Sequence, residues 1–406
     1  MHRRAQAQEA DGSRVSRPAR RTFGDAVVTV PVTVPYVRYS EHGAHWFIAG
    51  ALRALLEGAR LSKTDLDGLC LSSFTLAPDT AVAVSQHLGL SLRWLDHIPF
   101  GGAAAIVALR RALRAVQFGD AAVVACIGAD TSHPGTFRST LATFSQFAQD
   151  AVYPYGAGGP NAIFAMLTAY YMRNFGARRE DFGKLCIAQR NNALRFPYAL
   201  LRRPLSLEEY LNARVIADPL RLYDCVMTCA GAEGFLVMGR KRAEDLGLPF
   251  ATVLSTMERH NTYAGDPIQF RGGWTLDRNE LFAQAGIRHA EIDFVQTYDD
   301  YPVMSAIQLE DLGFCDKGEA AQFIRDHSFA VDGSFPINTS GGQLSVGQAG
   351  AAGGFLGMTE AIRQVTGAAI GAAVPQAHIG LVSGFGMVNY DRGLCATAAI
   401  LAGSDA

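Results

Sequence analysis

Residues 336–364 read PINTSGGQLSVGQAGAAGGFLGMTEAIRQ, and the fold turns on how that stretch is understood. It opens with turn formers, Asn338 to Gly342, and continues in small residues from Gly347 to Gly354. Only then does helical spacing begin, with Phe355, Leu356, Met358, Ile362 and Val365 three and four residues apart. So many glycines cost backbone entropy and bring no side-chain packing. A chain accepts that where backbone must approach backbone or a ligand. The stretch therefore predicts a glycine-lined loop feeding a helix buried at the centre of the fold, with Asn338, Ser340, Ser345 and Gln348 facing a site. The plainer alternative is a glycine-rich turn ahead of a packed helix.

Working outward, the same unit occurs earlier. Phe100-Gly101-Gly102 opens an alanine-rich helical run that Gly119 ends, and Ala121–Gly128 follows as a continuous apolar strand. In the later copy, Gly341-Gly342 lies 240 residues after Gly101-Gly102, and the helix 355–366 leads to a strand at 378–382. Strand, glycine turn, helix, strand, twice over, predicts an internally duplicated α/β protein. Such turns place helix starts at strand ends, where small polar or anionic groups are readily held. Val27–Tyr39 is β-branched and is expected to form one or two strands broken by Pro31 and Pro35. Residues 131–222 are less regular and are expected to form an insertion over one face. The divisions follow: a disordered tail at 1–21, a first half at 22–130 and 223–246, the insertion at 131–222, and a second half at 247–406.

Composition narrows the function classes. Of 406 residues, 49% are apolar and 18% charged, which fits a well-buried globular chain. A net charge of −2 gives no support for nucleic-acid or membrane-surface binding. No window approaches the ~18 apolar residues of a membrane span. Seven scattered cysteines, mostly in apolar runs, suggest reduced, packed thiols in a cytoplasmic protein. Cys225 and Cys229 have no partner pair at zinc-ribbon spacing, so no metal site is expected.

Several segments, in order, resemble the thiolase superfamily, and within it the sterol-carrier-type, lipid-transfer-like branch. INTSGGQLSVGQAGAAGG (337–354) resembles the block Asn-x-x-Gly-Gly-x-x-x-x-Gly-His-Pro-x-Gly-x-x-Gly. YDDY (298–301) and LEDLGFCDKGE (309–319) resemble the His-Asp-Cys-Phe and Leu-Gly-x-Cys-x-x-Gly-Glu segments, and YDCVMTCAGAEG (223–234) resembles a Cys-Cys-x-x-x-Asp-Gly-Ala-Ala strand. The resemblance covers about residues 25–402. It implies a five-layer αβαβα core of two similar halves with an inserted loop domain. It also implies a homodimer formed through the first half, acyl-CoA thioesters as substrates and no bound cofactor.

The departures matter as much. The family's nucleophilic cysteine falls on Gly102, the His of Gly-His-Pro on Gln348, the His of His-Asp-Cys-Phe on Tyr298, and the final block reads Val-Ser383-Gly-Phe-Gly. Glycine cannot form an acyl-enzyme. Members of the branch that lack the cysteine act as aldolases on β-hydroxyacyl-CoA esters, with a small OB-fold, zinc-ribbon partner. By that resemblance Tyr298 is expected as base, provided its pKa is lowered from about 10. Gln348, Ser345 and the backbone amides of the Gly102 and Gly347 turns are expected to hold the thioester oxygen, with Asn338 and Ser383 nearby. His133 is a further acid–base candidate. Asp299 and Asp300 are expected to cap the helix 303–312. Arg190, Asn191 and Asn192 are expected to contact either CoA phosphates or the insertion's own backbone. An acyltransferase with a displaced nucleophile, or a non-catalytic acyl-CoA-binding subunit, are the alternatives.

Overall fold

The structure is a computed structural model that describes residues 22–135, 145–156 and 159–404. The tail at 1–21 lies outside the described residues. Eleven strands are present among them: β1 (Ala26–Val37), β2 (Gly68–Ser72), β3 (Trp94–His97), β4 (Val123–Asp130), β5 (Val215–Ala217), β6 (Leu220–Arg221), β7 (Ala230–Gly239), β8 (Phe250–His260), β9 (Phe294–Gln296), β10 (Ile379–Asn389) and β11 (Arg392–Ala402). Nine form one sheet in the order β3-β2-β4-β7-β1-β8-β11-β10-β9, while β5 and β6 make a small separate ribbon.

That order contains the duplication. In the first half β2 runs parallel to β4, then β7 and β1 follow antiparallel. In the second half β9 runs parallel to β10, then β11 and β8 follow antiparallel. The halves meet where Val27, Val28 and Thr29 pair with Thr252, Ala251 and Phe250. Each half spans the same strand–helix–strand unit because its β strands are apolar on both faces and demand helices on both sides.

Three apolar clusters define the layers. The outer helix Ala44–Ala59 covers one face of the first half through Phe47, Ile48, Leu52 and Leu55. The helices Ala104–Phe118 and Gly353–Val365 lie together between the halves, sharing a core with Val124, Val237, Val253 and Leu401. Pro302–Leu312, Arg179–Ala193 and Pro160–Phe175 cover the outer face of the second half. This is the expected five-layer thiolase-like α/β architecture, with the glycine-fed helices as the middle layer.

Two local expectations change. Pro31 and Pro35 do not break β1. The register shifts between Thr29 and Val32 and between Val34 and Val37, so the prolines fall at irregularities where no ladder donor is needed. Asp299 caps a different helix from the one expected: its carboxylate accepts from Gln343 and Leu344 N–H at 2.9 and 3.2 Å, at the start of Gly342–Val346. The N-cap of Pro302–Leu312 is Tyr301, and no side chain caps it.

Candidate functional site

The glycine turns explain themselves at the centre of the fold. A Cβ on Gly102 would fall inside the Tyr298 ring and against the Phe385 carbonyl. One on Gly354 would meet Gly101 O at 2.6 Å and Gly102 Cα at 2.9 Å. One on Gly384 would meet Gly102 O at 2.7 Å. The two glycine loops and β10 thus pack backbone on backbone. The position where a nucleophilic side chain would project is filled by the aromatic ring of Tyr298 from the other half.

Tyr298 is held from three sides. Its N–H donates to Gln308 Oε1 at 3.0 Å, and its carbonyl accepts from Gln308 Nε2 at 2.8 Å. Ser383 Oγ donates to the same Gln308 Oε1 at 2.6 Å. Its Oη accepts from Gln348 Nε2 at 3.1 Å. That leaves the phenolic proton to be donated onward. Burial, and next the charge of Asp300, push its pKa well above 10, against the pull of the Gln348 hydrogen bond. No lysine or arginine is among the causes. The expected lowering of this phenol is not found: burial and the Asp300 charge favour its neutral form.

Gln348 also takes a different part. Its second amide proton goes to Gln343 Oε1 at 3.1 Å, so both protons are engaged inside the protein. It aims Tyr298 and is not left as a free donor for an oxyanion. Gln343, which the sequence reading passed over, completes this chain. Its only signal was a polar residue within a glycine loop.

The remaining expected residues divide. Asn338, at φ +45°, accepts the Thr297 N–H at 2.8 Å and donates to Thr297 Oγ1 at 3.2 Å, which fixes the strand end that presents Tyr298. Ser383 acts on Gln308, as above. Ser345 is turned elsewhere, accepting from Arg190 Nε at 3.1 Å. The Gly347 N–H is already given to Gln343 O at 3.1 Å, and the Gln348 N–H to Met227 O at 2.8 Å, so that turn offers no amides to a ligand. Gly102 keeps a favourable place, since first-turn amides of a helix lack intrahelical acceptors. His133 is half-buried in the loop three residues beyond β4 and is not among Tyr298's hydrogen-bond partners. Arg190 and Asn192 serve the fold: Arg190 also reaches Arg203 O at 3.2 Å, and Asn192 Nδ2 reaches Ile337 O at 3.1 Å.

A cysteine does stand beside the loop. Cys229 Sγ is 2.9 Å from where a Cβ on Gly347 would lie, and its N–H donates to Gln348 O at 3.0 Å. It is buried among Tyr36, Phe196, Val346 and Leu356. Burial pushes its thiol far up, and burial likewise holds Cys225 and Cys315 at about 12. A nucleophilic thiolate needs the opposite environment. Among the described residues no cluster of His, Cys, Asp and Glu is arranged to hold a metal ion, and no helix is long and apolar enough to cross a membrane.

Comparison with known proteins accords with this geometry. Residues 277–398 match the family model described as Thiolase C-terminal domain-like. The chain is 33% identical over 355 residues to the 17-hydroxy-3-oxo-4-pregnene-20-carboxyl-CoA lyase of Mycobacterium tuberculosis, covering 84% of this chain and 91% of that protein. It is 32% identical over 336 residues to the steroid side-chain-cleaving aldolase of Thermomonospora curvata, covering 79% and 85% respectively. It superposes on the solved Ltp2-ChsH2(DUF35) aldolase with a TM-score of 0.81 at 27% identity, over 94% of this chain and 98% of that one.

Proposed function

This chain belongs to the thiolase superfamily, in the sterol-carrier-type branch that includes the steroid side-chain aldolases, and on that premise we propose that it cleaves a β-hydroxyacyl-CoA by retro-aldol chemistry, without a covalent acyl-enzyme. The observation that carries this reading is the exchange at the centre of the fold. Gly102 stands at the position of the family nucleophile, and the Tyr298 ring fills the space a side chain there would need. Thiolytic chemistry loses its attacking group, while retro-aldol cleavage never requires one.

Cleavage requires the thioester oxygen to be stabilised as it becomes an enolate. Tyr298, whose burial favours the neutral phenol and whose Oη lies among the side chains of Gln348 and Gln343, is suited to donate to that oxygen, assisted by the helix start at Gly102. Gln348, Gln308, Ser383 and Asn338 keep the ring in place, so the donor is preorganised before substrate arrives.

The acyl group is taken to be bulky and apolar, of the steroid side-chain type the relatives act on. A cavity of about 250 Å³, lined by Ile163, Phe164, Met166, Leu167, Pro267 and Ile268 among others, supports this. Phe164, in its wall, stacks on Tyr301 at 4.2 Å and packs edge-on to Phe385 at 6.4 Å, and the Phe385 carbonyl lies against Gly102. We also assign the protein a small OB-fold, zinc-ribbon partner and self-association through the first half, as the family resemblance implies. The two-component name of the solved aldolase relative supports a partner subunit.

The test is direct. The protein is incubated with a steroid side-chain β-hydroxyacyl-CoA, with and without a co-encoded partner, and products are identified by mass. A ketone with a shortened CoA ester is expected. Free acid plus CoA, or acyl transfer to added CoA, contradicts the reading.

A further inference from the structure

We propose that Lys317 is a positioning residue that fixes the width of the apolar cavity and thereby the preference for a bulky acyl group, a role that rests on the acyl-group reading above. The segment 309–319 stands out in the sequence, yet the cleavage step makes no use of it. It carries Glu310, Asp311 and Lys317, and these three meet at one end of the cavity.

The cavity has two walls. One is the helix Pro160–Phe175, through Ile163, Phe164 and Leu167 among others, and the other is the loop 261–273, through Pro267 and Ile268. One helical turn beyond Leu167, Tyr170 lies against Phe270 of the loop with ring centroids 5.9 Å apart. The adjacent Tyr171 hydroxyl donates to Glu310 Oε2. Lys317 Nζ reaches the same Glu310 Oε2 at 2.9 Å, Asp311 Oδ1 at 2.6 Å and the Phe270 carbonyl at 2.9 Å. Asp311 Oδ2 accepts the Gly272 N–H at 2.5 Å. Both walls are thus tied to one ion cluster, the helix by Tyr171 and the loop by Phe270 and Gly272. The Phe270 N–H donates to the Ile268 carbonyl at 2.9 Å, so the position of Phe270 passes directly to the cavity lining.

At the other end the walls are tied to different elements. Asn161 of the helix accepts from Tyr301 Oη at 2.5 Å. The loop is bound to β11 instead. Gln269 exchanges two hydrogen bonds with Gly393 at 2.7 Å, and Arg392 reaches the Tyr263 and Asp266 carbonyls at 3.1 and 2.9 Å. Within the loop, Arg271 makes two bonds to Asp266 at 2.7 and 3.0 Å and lies over the Tyr263 ring at 3.8 Å. The loop is therefore stiff, and its distance from the helix is set at the cluster.

Glu310 and Asp311 are 1% and 0% exposed. Taking two carboxylates and an ammonium out of water is costly, and packed apolar residues of the same volume often give equal or better stability. What the ions add is direction. Each Lys317 proton has its own oxygen, and Glu310 is fixed in turn by the Gly318 and Ala320 N–H groups at 3.0 and 2.9 Å. Moving Phe270 relative to Tyr171 breaks a charge-assisted bond, whereas apolar surfaces would slide. A cavity held to one width rewards acyl groups that fill it, because a gap at the wall forfeits dispersion contacts.

The experiment measures, by calorimetry, the Kd of a steroid side-chain CoA ester lacking the β-hydroxyl and the Kd of butanoyl-CoA. It also measures kcat and KM for the matching β-hydroxyacyl-CoA esters. The variants are Lys317→Met and Tyr171→Phe, with Arg325→Met as control, since Arg325 pairs with the buried Asp181 at 2.6 Å away from these walls. Lys317→Met and Tyr171→Phe are expected to weaken the steroid ester about tenfold, equivalent to lost contact with one or two methylene groups, and butanoyl-CoA by less than about threefold. KM for the steroid substrate is expected to rise with Kd, while kcat stays within about threefold. Arg325→Met is expected to leave the ratio of the two affinities unchanged. Equal weakening of both esters, or an unchanged ratio in the two cluster variants, overturns the role. If Lys317→Met does not fold, having left two buried carboxylates without their cation, Tyr171→Phe decides by the same ratio, because it keeps every charge in place. A wild type that binds the steroid ester no better than butanoyl-CoA also overturns the role. A wild type that prefers the steroid ester and cleaves nothing sinks the retro-aldol reading alone, and the affinity ratio still decides this one.

Discussion

The two glycine-fed helices of the middle layer hold matching places in the two halves and differ at their N-termini. The start of Gly353–Val365 is filled from within: Asp130 at the end of β4 accepts the Ala351 N–H at 2.6 Å, and also binds Phe74 and Thr75 N–H. A Cβ on Gly350 would strike that carboxylate. Among the described residues no side chain caps the start of Ala104–Phe118, and its first turn holds no acid. It faces the Tyr298 ring instead, at the one place where a side chain has been reduced to hydrogen. One helix end therefore has its dipole answered by a fixed carboxylate, and the other is closed by an aromatic ring from the opposite half. The lesson is that duplicated halves share a backbone and divide the labour. The second half supplies Tyr298, with Gln343 and Gln348 behind it, and the first supplies the bare glycine that the ring faces.

The largest effect that would sharpen this contrast is at Tyr298. Tyr298→Phe removes the enolate donor and is expected to lower kcat by roughly 10²–10³-fold, with thermal stability little changed. A variant with near wild-type kcat breaks the asymmetry. Next comes Gly102→Cys, which restores a family-like residue. The new side chain collides with Tyr298 and the Phe385 carbonyl, so destabilisation of about 1–3 kcal/mol is expected in chemical denaturation, with no gain of acyl transfer. Adding Tyr298→Ala should recover part of that stability if the ring is what it meets. On the other helix, Asp130→Asn is expected to cost about 1–3 kcal/mol by leaving buried donors poorly paired.

A pH experiment probes the seam between the halves. Glu233 on β7 accepts from Thr359 of the helix Gly353–Val365 at 2.6 Å, and burial raises its pKa to about 7. A carboxyl raised on folding binds its proton more tightly in the native state. Its favourable term is thus present below the unfolded value of about 4.3 and is lost as pH rises through about 7. Glu233→Gln should therefore gain stability relative to wild type between pH 5 and pH 8, on the order of 3 kcal/mol. A constant difference across that range contradicts the assignment.

Much of this was legible in the sequence, for reasons of residue type. The small residues around Gly102 and from Gly347 to Gly354 announced close backbone approach, and their repetition announced the two halves. Tyr298 was found because it stands where a reactive residue is expected by resemblance. What the sequence concealed depends on direction in space. Ser345 and Gln348 are three residues apart, yet one turns to Arg190 and the other to Tyr298. Gln308 lies in an apolar helix with no mark of importance, and its double bond to the Tyr298 backbone appears only when the strand end and the helix are brought together. The sign of Tyr298's pKa shift was equally hidden, since it depends on the absence of a nearby cation and the presence of Asp300.

The most direct test of non-covalent cleavage on this scaffold is intact-protein mass spectrometry during turnover. The protein, with its partner if one is required, is mixed with a β-hydroxyacyl-CoA, quenched before substrate is exhausted and weighed. The account predicts an unmodified polypeptide mass while ketone and shortened CoA ester accumulate. An acyl adduct on Cys229, or on any other cysteine, that forms and decays at the rate of turnover would contradict it.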